Sequence, residues 1–244
     1  DVFRGIAITT VVFFHFGKLP YGYLGVDLFF VVSGLLVSRA LISDLEKERP
    51  ISFLRFVVTR GIKIWPSYYA LLFIGNALAF AFYRNSHPEQ IITWKHFPRY
   101  ALFFQNYRGT AHWSFDHVWS LCVEEHFYIL LPILFLIVEK AGRKKSVAIA
   151  LVLLCILAGV LFKIVGYRIG FETHSATHNR IDALAWGVLL SLLQKTAPER
   201  VRSVTRTPAL FIFGAILFAA SLWAHASGDF PLFEAVGFHS IVPF

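Results

Sequence analysis

The chain has 244 residues, of which 57% are apolar and only 16% charged, with a mean hydropathy of +0.61. Its charges gather between long apolar runs, which excludes a row of soluble domains and predicts one all-α polytopic bundle. The net charge of +8 comes from basic residues dispersed over loops, with no recognised nucleic-acid motif, so nucleic acid is not an expected partner.

The apolar runs predict seven spans at about 3–19, 24–42, 65–83, 118–138, 147–165, 181–194 and 208–225, with an eighth starting near 232. Most approach the roughly 20 residues that cross a hydrocarbon core of about 30 Å. The span at 181–194 is short and draws on its flanks. The stretch 100–107 is too short to cross and reads as re-entrant or interfacial. The chain opens on Asp1 and stops at Phe244 inside apolar sequence. The expectation is a single transmembrane domain over 1–244, cut at both ends from a longer protein.

The first span carries Arg4 and His15 in otherwise apolar sequence. Eleven residues return a helix to within about 20° of its starting direction, so both lie on one face, about 16 Å apart along the axis. Asp1 falls near the same stripe. Titratable groups at membrane depth are costly and mark interior working sites, although a neighbouring helix can also satisfy a histidine. The second span contains Gly25-Val-Asp27 and Ser33-Gly34. Ser33 reads either as a site hydroxyl or, with Gly34, as a close-packing pair.

In the loop that follows, Ser52 is placed to cap a short helix over 53–63, ahead of Trp65-Pro66. Its Arg55, Arg60 and Lys63 suit the membrane surface, or a phosphate-rich ligand gripped by guanidinium groups. Loop charge that merely sets topology is the simpler reading. Further on, His87, His96, His112 and His117 have irregular spacing, and no metal is expected there.

The fourth span holds Trp119-Ser120-Leu121-Cys122-Val123-Glu124-Glu125-His126-Phe127-Tyr128. At about 1.5 Å per residue, His15, Ser33, Glu124 and Glu125 are all expected about 9–13 Å from the outer edge. A carboxylate near imidazole raises its basicity, and such a base can take a proton from a hydroxyl. Glu124 has an alternative as a structural partner of an arginine. His126 reads as a packing or interfacial residue. Cys122 and Cys155 fall inside spans, with no metal-type spacing or disulfide framework.

With the N-terminus inside, the inner loops 44–63, 139–146 and 195–207 carry thirteen basic residues against seven on the outer segments. The bias predicts a cytoplasmic N-terminus in a multi-pass protein of the cell membrane.

The order of these motifs resembles the acyltransferase 3 family of integral-membrane O-acyltransferases. The matching pieces are Arg4 to His15, Gly25-Val-Asp27-x-Phe29-Phe30-x-x-Ser33-Gly34, and Phe56 to Pro66 around Arg60. Trp119-Ser120-Leu121-x-Val123-Glu124-x-x-Phe127-Tyr128 and Arg180-x-Asp182-x-x-x-x-Gly187 complete the series. The resemblance implies about ten spans in the complete protein and no permanently bound cofactor. It further implies acetyl-CoA, or another acyl-CoA, used from the cytoplasmic side, and an acyl group passed to a hydroxyl of a surface carbohydrate or similar acceptor. It assigns His15 as the catalytic histidine, Arg4 as its companion near the donor and Glu124 as an active-site carboxylate. Arg55, Arg60 and Lys63 fall to donor binding; Asp27, Ser33, Glu125, Arg180 and Asp182 are substrate-binding or structural. The chain has Thr59-Arg60 where an Arg-Arg pair is common, and Lys63 in place of a further arginine, which keeps the charge and loses the bidentate fork.

The expected activity is therefore O-acetyl transfer, with His15 as general base or as the carrier of an acyl-histidine intermediate. A proton-coupled transporter using His15, Arg4 and Glu124 as a relay is the alternative from another class. A catalytically dead relative that keeps the fold is a third.

Overall fold

The computed structural model describes residues 2–19, 21–107, 113–170 and 175–206, and among them all regular structure is helical. The principal helices are α1 (Val2–His15), α2 (Leu24–Glu46), α3 (Phe53–Tyr83), α4 (Phe97–Ala101), α5 (Trp119–Lys140), α6 (Lys145–Arg168), α7 (Ile181–Thr196) and α8 (Pro198–Arg206). Four of these, α2, α3, α5 and α6, are long and apolar enough to cross a membrane, while α1 and α7 are shorter, at 14 and 16 residues. The expected spans at 208–225 and near 232 lie outside the described residues, as do Asp1 and His112.

Two boundaries differ from the expectation for identifiable reasons. α1 stops at His15 rather than near residue 19. Gly17 adopts φ +66° there, its N–H bonding to the Phe14 carbonyl at 2.9 Å and that of Lys18 to Phe13 at 2.9 Å. This pairing closes a helix C-terminus, and its left-handed residue is the one glycine tolerates best. The second difference is at Pro66, where a surface helix and a separate span were expected. A single helix, α3, runs through 31 residues instead, about 46 Å. Proline removes one backbone donor without ending a helix whose neighbours hold it. Ser52 does cap α3, its side chain accepting from the Arg55 N–H at 3.4 Å.

The stretch 100–107 does not cross. It forms the end of α4 and a 3₁₀ turn, Gln105–Tyr107, with Tyr100, Phe103 and Asn106 buried. The Tyr68 and Tyr69 hydroxyls of α3 reach the Tyr100 and Ala101 carbonyls and fasten this segment down.

Contacts set the helix directions. α2 and α7 run parallel, joined by Arg180–Asp27 at 2.9 Å near their starts and Lys195–Glu46 at 3.6 Å near their ends. α6 runs against them: Lys145 meets Glu46 at 3.3 Å, and Lys163 meets Asp182 at 2.7 Å. α3 runs against α5, with Trp65 on Glu125 and Tyr68 packed near Cys122 and Val118. The loops 47–52 and 141–144 thus share one end with Lys195, the basic end. The described segments 84–107, 113–118, 169–170 and 175–180 lie at the other.

Glycine makes the α2–α7 crossing. A Cβ on Gly34 would fall 2.0 Å from the Leu184 carbonyl oxygen, and one on Gly187 would fall 2.0 Å from that of Val31. α2 and α7 therefore touch backbone to backbone, the arrangement small residues permit between membrane helices. Around this crossing lies the main core, with Phe30, Val37, Phe127, Leu131, Phe135, Leu184 and Val188 all buried. The outward faces of α3 and α6 present Phe73, Ile74, Leu78, Leu154, Leu157 and Leu161, the apolar coat of a lipid-facing surface.

Candidate functional site

Ser33, Glu124 and Tyr128 meet in the centre of the bundle. Ser33 is completely buried on α2, and Glu124 is 6% exposed on α5. The Ser33 hydroxyl donates to Glu124 Oε1 through a short hydrogen bond. Having given its only proton, it accepts from its other neighbours: the Tyr128 hydroxyl lies 3.2 Å away and Arg4 Nη2 3.4 Å away. Arg4 and Tyr128 thus both donate to Ser33, which donates to Glu124. Two cations bear on this network. The Arg4 charge reaches both Glu124 and Tyr128, and the Arg60 charge reaches Tyr128 from the basic end.

Helix geometry explains why these residues meet. Glu124 and Tyr128 are four apart on α5 and share a face. Trp119, one turn earlier, packs edge-on to Phe30 at 6.0 Å, and Arg180 lies over its ring at 5.4 Å while pairing with Asp27. This clasp holds the first turn of α5 beside the second turn of α2, so that Glu124 comes opposite Ser33. Arg4 rests over the Phe29 ring at 5.7 Å and sends its guanidinium back toward the N-terminus of α1, the direction helical side chains favour.

His15 is not part of this cluster, which overturns the expected common depth. It is the last residue of α1, exposed, and edge-on to Phe14 at 5.6 Å. It makes no hydrogen bond among the described residues. Gly25 of α2 packs against the Ala7 carbonyl and Thr10, while Gly22 packs against Thr10 and Phe14, so the two helices are antiparallel. From the Ala7–Gly25 contact, His15 lies about 12 Å one way and Ser33 about 12 Å the other, an axial separation of about 24 Å. The depth reckoning failed because it carried α1 to residue 19 and placed His15 mid-span.

The remaining candidates separate by environment. Glu125, 5% exposed, faces α3 and accepts from Trp65 Nε1 at 3.0 Å, apart from Glu124. Asp27 and Arg180 form the clasp already described. Asp182 pairs with Lys163, a partner that spacing did not reveal because Lys163 lies on another helix. Arg55 and Lys63 are exposed on α3 without an ion pair among the described residues, and Arg60 stands over the Phe56 ring at 5.8 Å. Other charges at the basic end are engaged. Arg143 pairs with Glu139 and donates to the Arg49 carbonyl, and Lys145 and Lys195 share Glu46.

Two residues were passed over in the sequence. Tyr128 belongs to the central network, and its position four after Glu124 was the available signal. His126, read as packing, holds Thr177 Oγ1 at 2.6 Å through Nδ1. No pattern within one segment could link it to residue 177.

An Arg–Ser–Glu–Tyr network inside an apolar helical bundle marks a candidate working site in a membrane protein, and comparison with known proteins decides its family. The acyltransferase 3 family model, an acyltransferase domain, matches residues 1–244, and the chain belongs to this family. The chain is similar to O-acetyltransferase OatA of Staphylococcus aureus (strain NCTC 8325 / PS 47), 26% identical over 208 residues that cover 79% of this chain and 34% of that protein. It is also similar to two putative O-acetyltransferases, SACOL0978 of S. aureus strain COL and SAS0844 of strain MSSA476, each 27% identical over 211 residues, with the same coverage. The chain thus spans about a third of the length of these curated relatives. No solved structure matches it.

Proposed function

We propose that this chain is the membrane domain of an O-acetyltransferase of the cell membrane. In this reading it takes acetyl groups from acetyl-CoA on the cytoplasmic side and passes them to a hydroxyl of a surface carbohydrate. The observation that carries the reading is the Arg4–Ser33–Glu124–Tyr128 network, on family motif residues from three helices of a chain whose relatives are named O-acetyltransferases.

The basic end supports an inside orientation. Arg55, Arg60 and Lys63 face that side without carboxylate partners among the described residues and would receive the phosphates of CoA. The thin arm of CoA would then extend inward along α3 and α5 past Arg4 and the central network, carrying the thioester toward the His15 end of α1. Arg4, oriented by Ser33, would donate to a carbonyl oxygen of the donor's arm where it passes the network. Glu124 keeps Ser33 oriented through their hydrogen bond and balances the half-buried guanidinium.

His15 stands at the opposite end of α1, where an acceptor would arrive. As the acceptor oxygen bonds to the acetyl carbon, His15 would take its proton, and the C–S bond would break to release CoA thiolate. The axial distance of about 16 Å between Arg4 and His15 would be bridged by the donor's arm. The deciding experiment is transfer of labelled acetyl from acetyl-CoA to a hydroxyl acceptor by purified full-length protein. Transfer that persists in correctly folded His15→Ala protein would remove His15 from the chemistry. A full-length protein that consumes no acetyl-CoA would remove the activity itself.

A further inference from the structure

Four buried polar atoms without a hydrogen-bond partner among the described residues sit around one turn. They are Gln105 Oε1, Asn106 Oδ1, Glu125 Oε1 and His126 Nε2. The first two belong to the 3₁₀ turn Gln105–Tyr107 and the other two to consecutive positions on α5. Their neighbourhood is shared: Gln105 donates to the Tyr68 hydroxyl at 3.2 Å in the cluster that holds Cys122, three residues before Glu125, and Asn106 and His126 both meet Thr177 Oγ1, at 3.0 and 2.6 Å. Asn106 is 4% exposed and Glu125 5% exposed, so bulk water does not satisfy them. Buried polar atoms are ordinarily paired, and a concentration of unpaired ones marks a place where a polar ligand or ordered water belongs.

The surroundings favour a sugar. His126 has Nδ1 against Thr177, so Nε2 is left either as an N–H donor or as a lone-pair acceptor, according to which partner holds the shared proton. A hydroxyl group satisfies either form, because it both donates and accepts. The other three orphaned atoms are acceptor oxygens, which sugar hydroxyls satisfy as donors. Rings stand beside them. Phe104 lies 4.9 Å and Tyr107 5.9 Å from the His126 ring, and both keep exposed outer faces. Such faces pack against the C–H side of a sugar ring, and their rotation would uncover Nε2.

We propose that the turn Gln105–Tyr107 and the Glu125–His126 step of α5 form a subsite for a sugar unit of the acceptor, with Asn106 and His126 holding its hydroxyls and Phe104 and Tyr107 its apolar face. The proposal rests on the acetyltransferase reading and names where its acceptor is held. His126 points about 200° around α5 from Glu124, away from the α2 side on which α1 and His15 pack, so the subsite grips a part of the acceptor remote from the reacting hydroxyl. Contacts of that kind set affinity and selectivity.

The test uses full-length protein in nanodiscs, labelled acetyl-CoA, and maltotetraose, N-acetylated chitotetraose and glycerol as probes. The expected result is label on at least one oligosaccharide. His126→Phe keeps a ring between Phe104 and Tyr107 and removes the nitrogens. It should raise the KM for that sugar tenfold or more, with the acetyl-CoA KM within twofold, and His126→Gln should recover part of the loss. Thr177→Val breaks the internal bond to His126 Nδ1 and the one from Asn106 Nδ2 without touching His126 Nε2 or Asn106 Oδ1, and should stay within threefold. Should His126→Phe fail to fold, His126→Asn, which shortens the reach, carries the measurement. Equal losses in His126→Phe and Thr177→Val would make the cluster an internal brace and overturn the subsite. An unchanged KM would mean the orphaned atoms hold water only, and would overturn it equally. Label on glycerol alone would remove the sugar assignment and leave the transferase reading standing, whereas no consumption of acetyl-CoA with any probe would remove both.

Discussion

Ser33 is the residue on which the central network turns, because three partners meet at one hydroxyl. Ser33→Ala should leave Glu124 without its donor and Tyr128 and Arg4 without their acceptor. A lost hydrogen bond to a buried charged group costs about 1.5–3 kcal/mol. The variant should therefore lower the denaturation midpoint in detergent and reduce transfer, and an unchanged midpoint with full activity would show that the hydroxyl is idle. His15 stands differently, exposed and outside the hydrogen-bonded core. His15→Ala should abolish transfer with little change in stability, and His15→Gln should be nearly as inactive, since an amide cannot take a proton at neutral pH. Contrasting the two sites separates chemistry from architecture: one substitution moves both readouts, the other moves only turnover.

At the scale of elements, the α2–α7 crossing and the start of α3 make distinct demands. Gly34→Ala places a methyl group where the Leu184 carbonyl oxygen already stands, so the helices must part. Overpacking of this kind costs about 1–3 kcal/mol. Gly5→Ala is the control, since nothing lies within 4 Å of a Cβ there. Thermal unfolding of the two variants should differ clearly, and equal midpoints would mean the crossing is looser than its geometry. On α3, replacing Arg60 and Lys63 with Gln should raise the acetyl-CoA KM about tenfold or more for each charge-assisted hydrogen bond removed, with a smaller effect on the acceptor. Lys144 and Lys145 replaced together serve as the comparison, because Lys145 already has Glu46 as a partner. Equal effects from both pairs would leave positive-inside bias as the whole explanation of the α3 charges.

For the whole molecule, the arrangement of loops at two ends makes orientation testable. In a background lacking Cys122 and Cys155, single cysteines at Ser146 and Thr196 should react with impermeant thiol reagents only once the inner face is opened. A cysteine at Ser86, an exposed position at the opposite end, should react in intact cells. The reverse pattern would put the basic end outside and the proposed donor site on the wrong face.

Much of this architecture was legible because local rules govern it. Apolar runs between charged loops marked α2, α5, α6 and α7 to within a few residues, since a helix satisfies its own backbone in lipid and hydropathy alone locates it. Ser52 was readable as a cap because capping uses neighbours three residues apart. The stop at Gly17 was also local, and a count of apolar residues alone missed it. Pro66 was the opposite case. Its helix continues because α5 and the segment after residue 97 brace α3, which no local rule reports. The candidate site divides in the same way. Residue type and membrane depth singled out Arg4, His15, Ser33 and Glu124. Only the packed bundle decided that Arg4 rather than His15 reaches Ser33, that Tyr128 joins them and that His126 turns away to Thr177. Helical periodicity tells which way a side chain leaves its own axis; which neighbour waits there depends on register between helices, and that register is set by distant contacts such as Gly25 on Ala7 and Arg180 on Asp27.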